Sequence, residues 1–284
     1  MDSELDVLST PVTDMAWYLT ALALVMSAWV FLIILARAWR GQACVAWQPQ
    51  QPVEWNGRDV CVVACCYVVF PIFAQTVLSK PIIMLEQLAV SAASMVAATV
   101  CAVGYLRAQG ASWQSLGVRL GRPSSDLQLG LAGLALIVAP LLTLAALLDK
   151  VVPYHHAIVD FLTSRRDSLA LSVVVVSAVV VAPIAEEFLF RRVLQGWLEK
   201  RFNKTGSLQN GNQTAVVLSA LAFAFAHIGQ GLAWVPLIFF GLVVGYLARQ
   251  TGSIVAGSIL HALFNALSVL LVMVQTAPAA TGGE

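Results

Sequence analysis

The chain has 284 residues, of which 59% are hydrophobic and 11% are charged, with a formal net charge of +1 at pH 7. About a quarter of the residues in an ordinary soluble domain are charged, so this composition indicates a polytopic membrane protein whose main surroundings are a lipid bilayer. No nucleic-acid partner is expected, because the chain lacks the basic stripe that such binding requires.

Eight apolar stretches approach the roughly 20 residues that a helix needs to cross about 30 Å of hydrocarbon. They lie at about 16–36, 59–79, 82–106, 127–148, 169–190, 213–228, 232–249 and 253–274. The fold class predicted from them is all-α, a membrane protein with about eight transmembrane helices in one bundle. The N-terminal segment is acidic and lacks the positive region of a signal peptide, so we expect the first stretch to be retained.

Lysine and arginine are concentrated on one side of this map, which predicts its orientation. With the N-terminus outside, the inner connections contain Arg37, Arg40, Arg58, Arg107, Arg119, Arg122, Lys200, Arg201, Lys204 and Arg249. The outer connections then contain only Lys80, Lys150, Arg165 and Arg166. This imbalance predicts that both termini lie outside.

Three features between and within these stretches have ordinary explanations. The cysteines match no zinc spacing well and are interpreted as packing residues; they are Cys44, Cys61, Cys65, Cys66 and Cys101. The connection at 107–126 is either an element at the membrane interface or a plain linker. His155, His156 and Asp160 could ligate a metal in principle, but exposed loop histidines are usually not ligands.

Two adjacent carboxylates, Glu186 and Glu187, lie at the end of the fifth apolar stretch. An ionisable group at membrane depth costs a few kcal/mol or more, so it is a candidate functional residue. Glu187 and Arg191 are four residues apart and share a helix face. We interpret them as an ion pair that leaves Glu186 free for chemistry; a purely structural Glu–Arg network is the alternative.

Pro183 precedes the pair by about one helical turn. Because proline lacks an N–H and its ring clashes with the preceding turn, it is expected to free the carbonyl of Val179 and to bend the helix before Glu186. Such a bend can open a cavity for water inside a bundle.

Two further polar pairs occur on later apolar stretches with the same spacing of four residues. They are Phe223 with His227 and His261 with Asn265. Imidazole can serve as a base, an acid, a metal ligand or a hydrogen-bond donor, and the asparagine amide can stabilise an oxyanion. Polar side chains also join helices in membranes, so each pair alone has a structural alternative.

These three motifs, in this order on successive apolar stretches, resemble the CPBP family of intramembrane proteases. This family comprises CAAX-processing prenyl-protein endopeptidases and bacterial relatives, some of them linked to bacteriocin self-immunity. The resemblance covers about residues 112–270, since the segment 115–130 is also similar to the entry into the family's core. Arg192 is a departure, because family members often have glycine there; a bulky cation could narrow the substrate approach or reach the headgroups.

The resemblance implies a role for each motif residue. Glu186 would activate a water molecule for attack on a peptide carbonyl, with His227 helping to position or deprotonate it. His261 and Asn265 would stabilise the oxyanion. Glu187 and Arg191 would support the site together with Phe223 and Pro183. We expect no metal and no cofactor, because the motifs lack the His-Glu-x-x-His spacing of common zinc proteases; a zinc site formed by Glu186, His227 and His261 is the rival mechanism.

The resulting prediction is an endopeptidase acting on a membrane-embedded or membrane-anchored peptide or protein in the bacterial inner (plasma) membrane. We expect N-terminal helices of variable type over 1–111, a catalytic core over 112–274 and a flexible tail over 275–284. Two other functions remain open: a non-catalytic membrane partner or immunity factor, and a proton-relaying transporter. The transporter is disfavoured because we find no internal repeat.

Overall fold

The computed structural model describes residues 11–46, 53–77, 83–117, 121–152, 161–162, 165, 167–203 and 208–275. Within these ranges all regular structure is helical, which confirms the predicted all-α class. The main helices are α1 Pro11–Trp39, α2 Gly57–Val77, α3 Met84–Ala108, α4 Pro123–Asp149, α5 from Ser168 to Asn203, α6 Leu208–Phe225, α7 Trp234–Thr251 and α8 Val255–Gln275. His155, His156 and Asp160 lie outside the described residues.

Seven helices in the described part of the chain are long and apolar enough to cross a membrane. The apolar part of the remaining one, Gln213–Phe225 in α6, is shorter than such a span. About eight transmembrane helices therefore agrees with the structure, with α6 as the short member. His227, which was expected inside the sixth apolar stretch, lies just after the end of α6.

Helix α5 differs most from its predicted stretch, because it continues to Asn203 instead of ending near residue 190. Its segments alternate between α-helical and π-helical geometry. They are α-helical Ser168–Val174, π-helical Val175–Val181, α-helical Ala182–Glu186, π-helical Glu187–Gln195 and α-helical Gly196–Asn203. The polar end of α5 stays helical because neighbouring helices bury it, with Arg191, Arg192 and Gln195 almost inaccessible. π-Helical turns inside α-helices are rare and frequently mark functional sites.

Successive helices cross the bundle in opposite directions, as the predicted map of spans requires, so their ends meet at two opposite ends of the bundle. At one end of the bundle, the Trp55 indole donates to the carbonyl of Val193, and the backbone N–H of Ile254 donates to the carbonyl of Gly117. The start of α2, the turn before α4, the end of α5 and the start of α8 therefore lie together. At the other end, Leu85 and Met273 pack on a cluster that includes Val174, which joins the start of α3, the start of α5 and the end of α8.

The core next to the candidate site is built from α4, α6, α7 and α8. Its buried members are Ile137, Leu141, Phe223, Phe240, Val244, Leu247 and Leu260. Glycines allow the helices to approach closely: a Cβ on Gly241 would lie 3.0 Å from the Cα of Ala220. Small residues at such crossings are typical of helix packing in membranes, and here they hold α6, α7 and α8 around α5.

Candidate active site

The Glu187–Arg191 pair forms as predicted from its spacing. Arg191 Nε donates to Glu187 Oε2 at 3.1 Å, and both side chains are fully buried. Arg191 Nη1 also donates to Ser219 Oγ on α6 at 3.1 Å, and that hydroxyl donates to the carbonyl of Phe190 at 2.8 Å. A buried ion pair needs such additional hydrogen bonds to offset the cost of removing two charges from water.

Phe223 contributes an aromatic face to this pair. The Arg191 guanidinium carbon lies 4.8 Å from the centroid of the Phe223 ring, within the range of a cation–π contact. The ring also has its edge toward His261, with centroids 5.8 Å apart, and a tilted contact with His227 at 4.8 Å. Phe223 therefore contacts Arg191 of the ion pair and both histidines.

His261 lies between the two carboxylates. Its Nδ1 is 3.0 Å from Glu187 Oε1, and its Nε2 is 3.8 Å from Glu186 Oε2. Since a carboxylate accepts hydrogen bonds, the proton on Nδ1 points at Glu187 and fixes the orientation of the ring. The distance to Glu186 exceeds a direct hydrogen bond, and polar contacts of this length are commonly bridged by water.

The two glutamates therefore have different surroundings. Glu187 uses one oxygen for Arg191 and the other for His261, and none of its side chain is exposed. The side chain of Glu186 retains 19% exposure. Adjacent residues on a helix point about 100° apart, which is why Glu187 faces α6 and α8 while Glu186 turns to an accessible space.

His227 lies in the turn after α6, in contact with the Phe223 ring. Its Nδ1 is 2.8 Å from the carbonyl oxygen of Phe223. A carbonyl can only accept, so Nδ1 is the donor and, in the neutral ring, Nε2 is left as a proton acceptor. The spacing of four residues that defines this motif thus sets the tautomer of the histidine.

Asn265 donates from Nδ2 to the carbonyl of Ala178 at 2.7 Å. The residue at Ala182 shows the π-helical pairing here, because its N–H donates five residues back, to Ser177. The next N–H in that register would belong to Pro183, which has none. In this register the carbonyl of Ala178 therefore receives no N–H from Pro183. Asn265 supplies the missing donor and keeps a second amide hydrogen.

The sequence-predicted residues fall into two groups. Glu186, Glu187, Arg191 and His261 are in direct contact, while His227 joins them through Phe223, and Asn265 joins them through the backbone before Pro183. Sequence reasoning missed Ser219 and Tyr67, whose hydroxyl donates to the carbonyl of Ala185. Ser219 shares a face with Phe223, four residues on, and that spacing was its only signal in the sequence.

Arg192 does not reach toward the headgroups. It is buried, its Nε donates to the carbonyl of Ser115, and its guanidinium carbon lies 5.7 Å from the centroid of the Trp55 ring. The cation therefore fastens the turn before α4 and the segment before α2 to the end of α5. The alternative in which Arg192 reaches the headgroups is wrong on this geometry, because the side chain is buried.

Within the ranges that the structure describes, no three His, Cys, Asp or Glu side chains gather closely enough to hold a metal ion. In the rival zinc mechanism Glu186 and His261 would be two of the ligands, and their Oε2 and Nε2 atoms lie 3.8 Å apart.

The helical bundle encloses a carboxylate–imidazole group formed by Glu186, Glu187 and His261. Residues 168–267 match the family model described as type II CAAX prenyl endopeptidase Rce1-like. This match contains all three motifs and supports the resemblance to the CPBP family and a CAAX-type intramembrane protease role. No curated protein and no solved structure matches the chain.

Proposed function

We propose that this protein is an intramembrane endopeptidase in which Glu186 activates a water molecule for attack on a peptide carbonyl. The main observation in support is that the two glutamates differ in burial and in hydrogen bonding. Glu187 is fully buried with both oxygens bonded, whereas Glu186 is partly accessible and lies 3.8 Å from His261 Nε2. A general base needs access to water and a neighbouring group that orients it.

In the proposed reaction, Glu186 removes a proton from the water as its oxygen bonds to the carbonyl carbon. His227, with Nε2 available, helps to position that water or to receive its proton. The oxyanion takes hydrogen bonds from His261 Nε2–H and the second amide hydrogen of Asn265. Collapse breaks the C–N bond, and the proton on Glu186 passes to the amine that leaves.

Glu187 makes the donor role of His261 physically reasonable. A ring that donates from Nδ1 to Glu187 and from Nε2 to an oxyanion carries both protons and is positively charged. The Glu187 carboxylate, at 3.0 Å, compensates that charge, while Arg191 keeps the carboxylate in place. This arrangement also supports the bracing role proposed for the Glu187–Arg191 pair.

The test is cleavage of a panel of tagged membrane peptides by purified protein in detergent. Glu186→Gln should abolish cleavage while the protein inserts and purifies normally. Glu86→Gln is the matched control, because Glu86 is on α3, where its Oε2 accepts from the backbone N–H of Ile83. Full activity of Glu186→Gln would refute the proposal, and a wild-type protein that binds peptides without cleaving them would favour the non-catalytic alternative.

Treatment with a chelator distinguishes the metal-free mechanism from the zinc mechanism. Because the proposed base and oxyanion donors act without a metal, cleavage should survive prolonged treatment with a strong chelator. Elemental analysis of the active protein should find far less than one zinc per chain. Inactivation by the chelator that added zinc reverses would establish the zinc mechanism instead.

A further inference from the structure

One hydroxyl from the N-terminal helices reaches the backbone beside Glu186. Tyr67 on α2 donates to the carbonyl of Ala185 at 3.2 Å and lies 2.7 Å from Thr99 Oγ1 on α3. Thr99 Oγ1 is also 2.7 Å from the carbonyl of Met95 in its own helix. Tyr67 and Thr99 both lie outside the matched segment 168–267.

The hydroxyl protons of Tyr67 and Thr99 can be arranged in two ways, and only one of them gives a hydrogen bond to α5. Each hydroxyl has a single proton. If Thr99 donates to Met95, Tyr67 donates to Thr99 and the carbonyl of Ala185 loses its partner. If Thr99 donates to Tyr67, the Tyr67 proton is directed at Ala185. The second arrangement joins α2 and α3 to α5 at the residue before Glu186.

The contact can affect Glu186 because of its position along α5. Ala185 and Glu186 end the short α-helical segment Ala182–Glu186, and a π-helical segment begins at Glu187. A change of register here rotates the Glu186 carboxylate relative to His261, which is 3.8 Å away. A misplacement of about 1 Å can cost about 100-fold in rate, so a hydrogen bond that fixes this junction affects catalysis.

We propose that Tyr67 is a positioning residue for Glu186, an inference that rests on the proposed function of Glu186 as the base. It makes the N-terminal helices part of the catalytic machinery. Tyr67→Phe removes the hydroxyl and keeps the ring. It should lower kcat about tenfold, the effect of one net hydrogen bond of about 1.4 kcal/mol, with little change in KM.

Two matched variants separate positioning from mere stability. Tyr105→Phe removes a hydroxyl that joins the same two helices, since Tyr105 on α3 donates to Asp59 Oδ1 on α2 at 2.7 Å. It should change stability and leave kcat unaltered. Thr99→Val removes the competing acceptor of the Tyr67 proton, so kcat should be kept or raised.

Hydrogen exchange of the segment 182–195, followed by mass spectrometry, reads the same contact without a substrate. Exchange should be faster in Tyr67→Phe than in the wild type and unchanged in Tyr105→Phe. Unchanged kcat and unchanged exchange in Tyr67→Phe would overturn the inference, as would equal losses of kcat in both tyrosine variants. If Glu186→Gln retained full cleavage, the proposed function would fail, and the exchange result would still decide whether Tyr67 holds this segment.

Discussion

Glu187 has two buried partners, Arg191 and His261, that would both lose their contact if it were removed. Glu187→Ala leaves the Arg191 guanidinium without its counter-charge and His261 without its acceptor. Breaking a buried pair in this way typically costs about 3–5 kcal/mol. We therefore expect a clear fall in the unfolding temperature, measured in detergent.

Two controls make that result specific. Ser219→Ala removes one hydrogen bond to Arg191 and should cost only about 1 kcal/mol. Glu186→Gln should leave the unfolding temperature near that of the wild type. If Glu187→Ala were as stable as Ser219→Ala, the pair would not brace the site.

Substitutions at Asn265 and Pro183 test whether Asn265 replaces the N–H that Pro183 cannot supply to the carbonyl of Ala178. In the wild type, Asn265 serves the Ala178 carbonyl because Pro183 has no N–H. Asn265→Ala should therefore cost about 1 kcal/mol, the net contribution of a hydrogen bond to a partly buried acceptor. In a Pro183→Ala background the new N–H can serve Ala178, and the cost of Asn265→Ala should fall. Thermal unfolding of the four proteins completes the double-mutant cycle, and additive costs would contradict the shared carbonyl.

Residues within one helix were predictable, and residues across helices were not. The Glu187–Arg191 contact follows from a spacing of four, as does the bond from His227 to the carbonyl of Phe223. The contact of His261 with Glu187 spans 74 positions of the chain, and no local periodicity reports it. In the sequence, only the resemblance to a family indicated that the motif residues belong to one site. Which side chains contact each other became clear only from the fold.

At the scale of the helices, apolar length predicted where the elements lie but not their register. The predicted stretches overlap α1 to α8 in order. The π-helical turns of α5 were not predictable, because Val175–Val181 is apolar except for Ser177 and such a stretch does not indicate one register over the other. The extension of α5 to Asn203 depends on partners for its polar end, such as the carbonyl of Gly245, which accepts from Gln195 Nε2 at 3.0 Å.

The crossing of α6 and α7 gives an element-scale prediction. A Cβ at Gly241 would lie 3.0 Å from Ala220 Cα, and the backbone there cannot move aside as a flexible side chain would. Gly241→Ala should therefore destabilise the protein by about 1–3 kcal/mol, measured as a lower unfolding temperature. Gly104→Ala is the control, because a Cβ added there would have no neighbouring atom within 4 Å and alanine is the better helix former. A wild-type unfolding temperature for Gly241→Ala would show that the helices separate without cost.

At the scale of the whole molecule, one end of the bundle is fastened by segments far apart in the chain. Arg192 donates to the carbonyl of Ser115, Trp55 donates to Val193, and Lys200 Nζ donates to the carbonyls of Glu54 and Trp55 at 2.9 Å. Most of these residues lie in or beside connections that the excess of lysine and arginine assigns to the cytoplasmic side. The fastened end is therefore expected to face the cytoplasm.

Cysteine labelling tests that orientation with two exposed sites at opposite ends of α4. Trp113, 60% exposed, precedes α4 at the fastened end, and Val151, 73% exposed, follows it. The 27 residues of α4 separate these ends by about 40 Å. In a background without the native cysteines, a membrane-impermeant maleimide should label Val151→Cys in intact cells. Trp113→Cys should react only after the membrane is opened, because the positive connections are retained inside. The reverse pattern would invert the topology and place the fastened end outside.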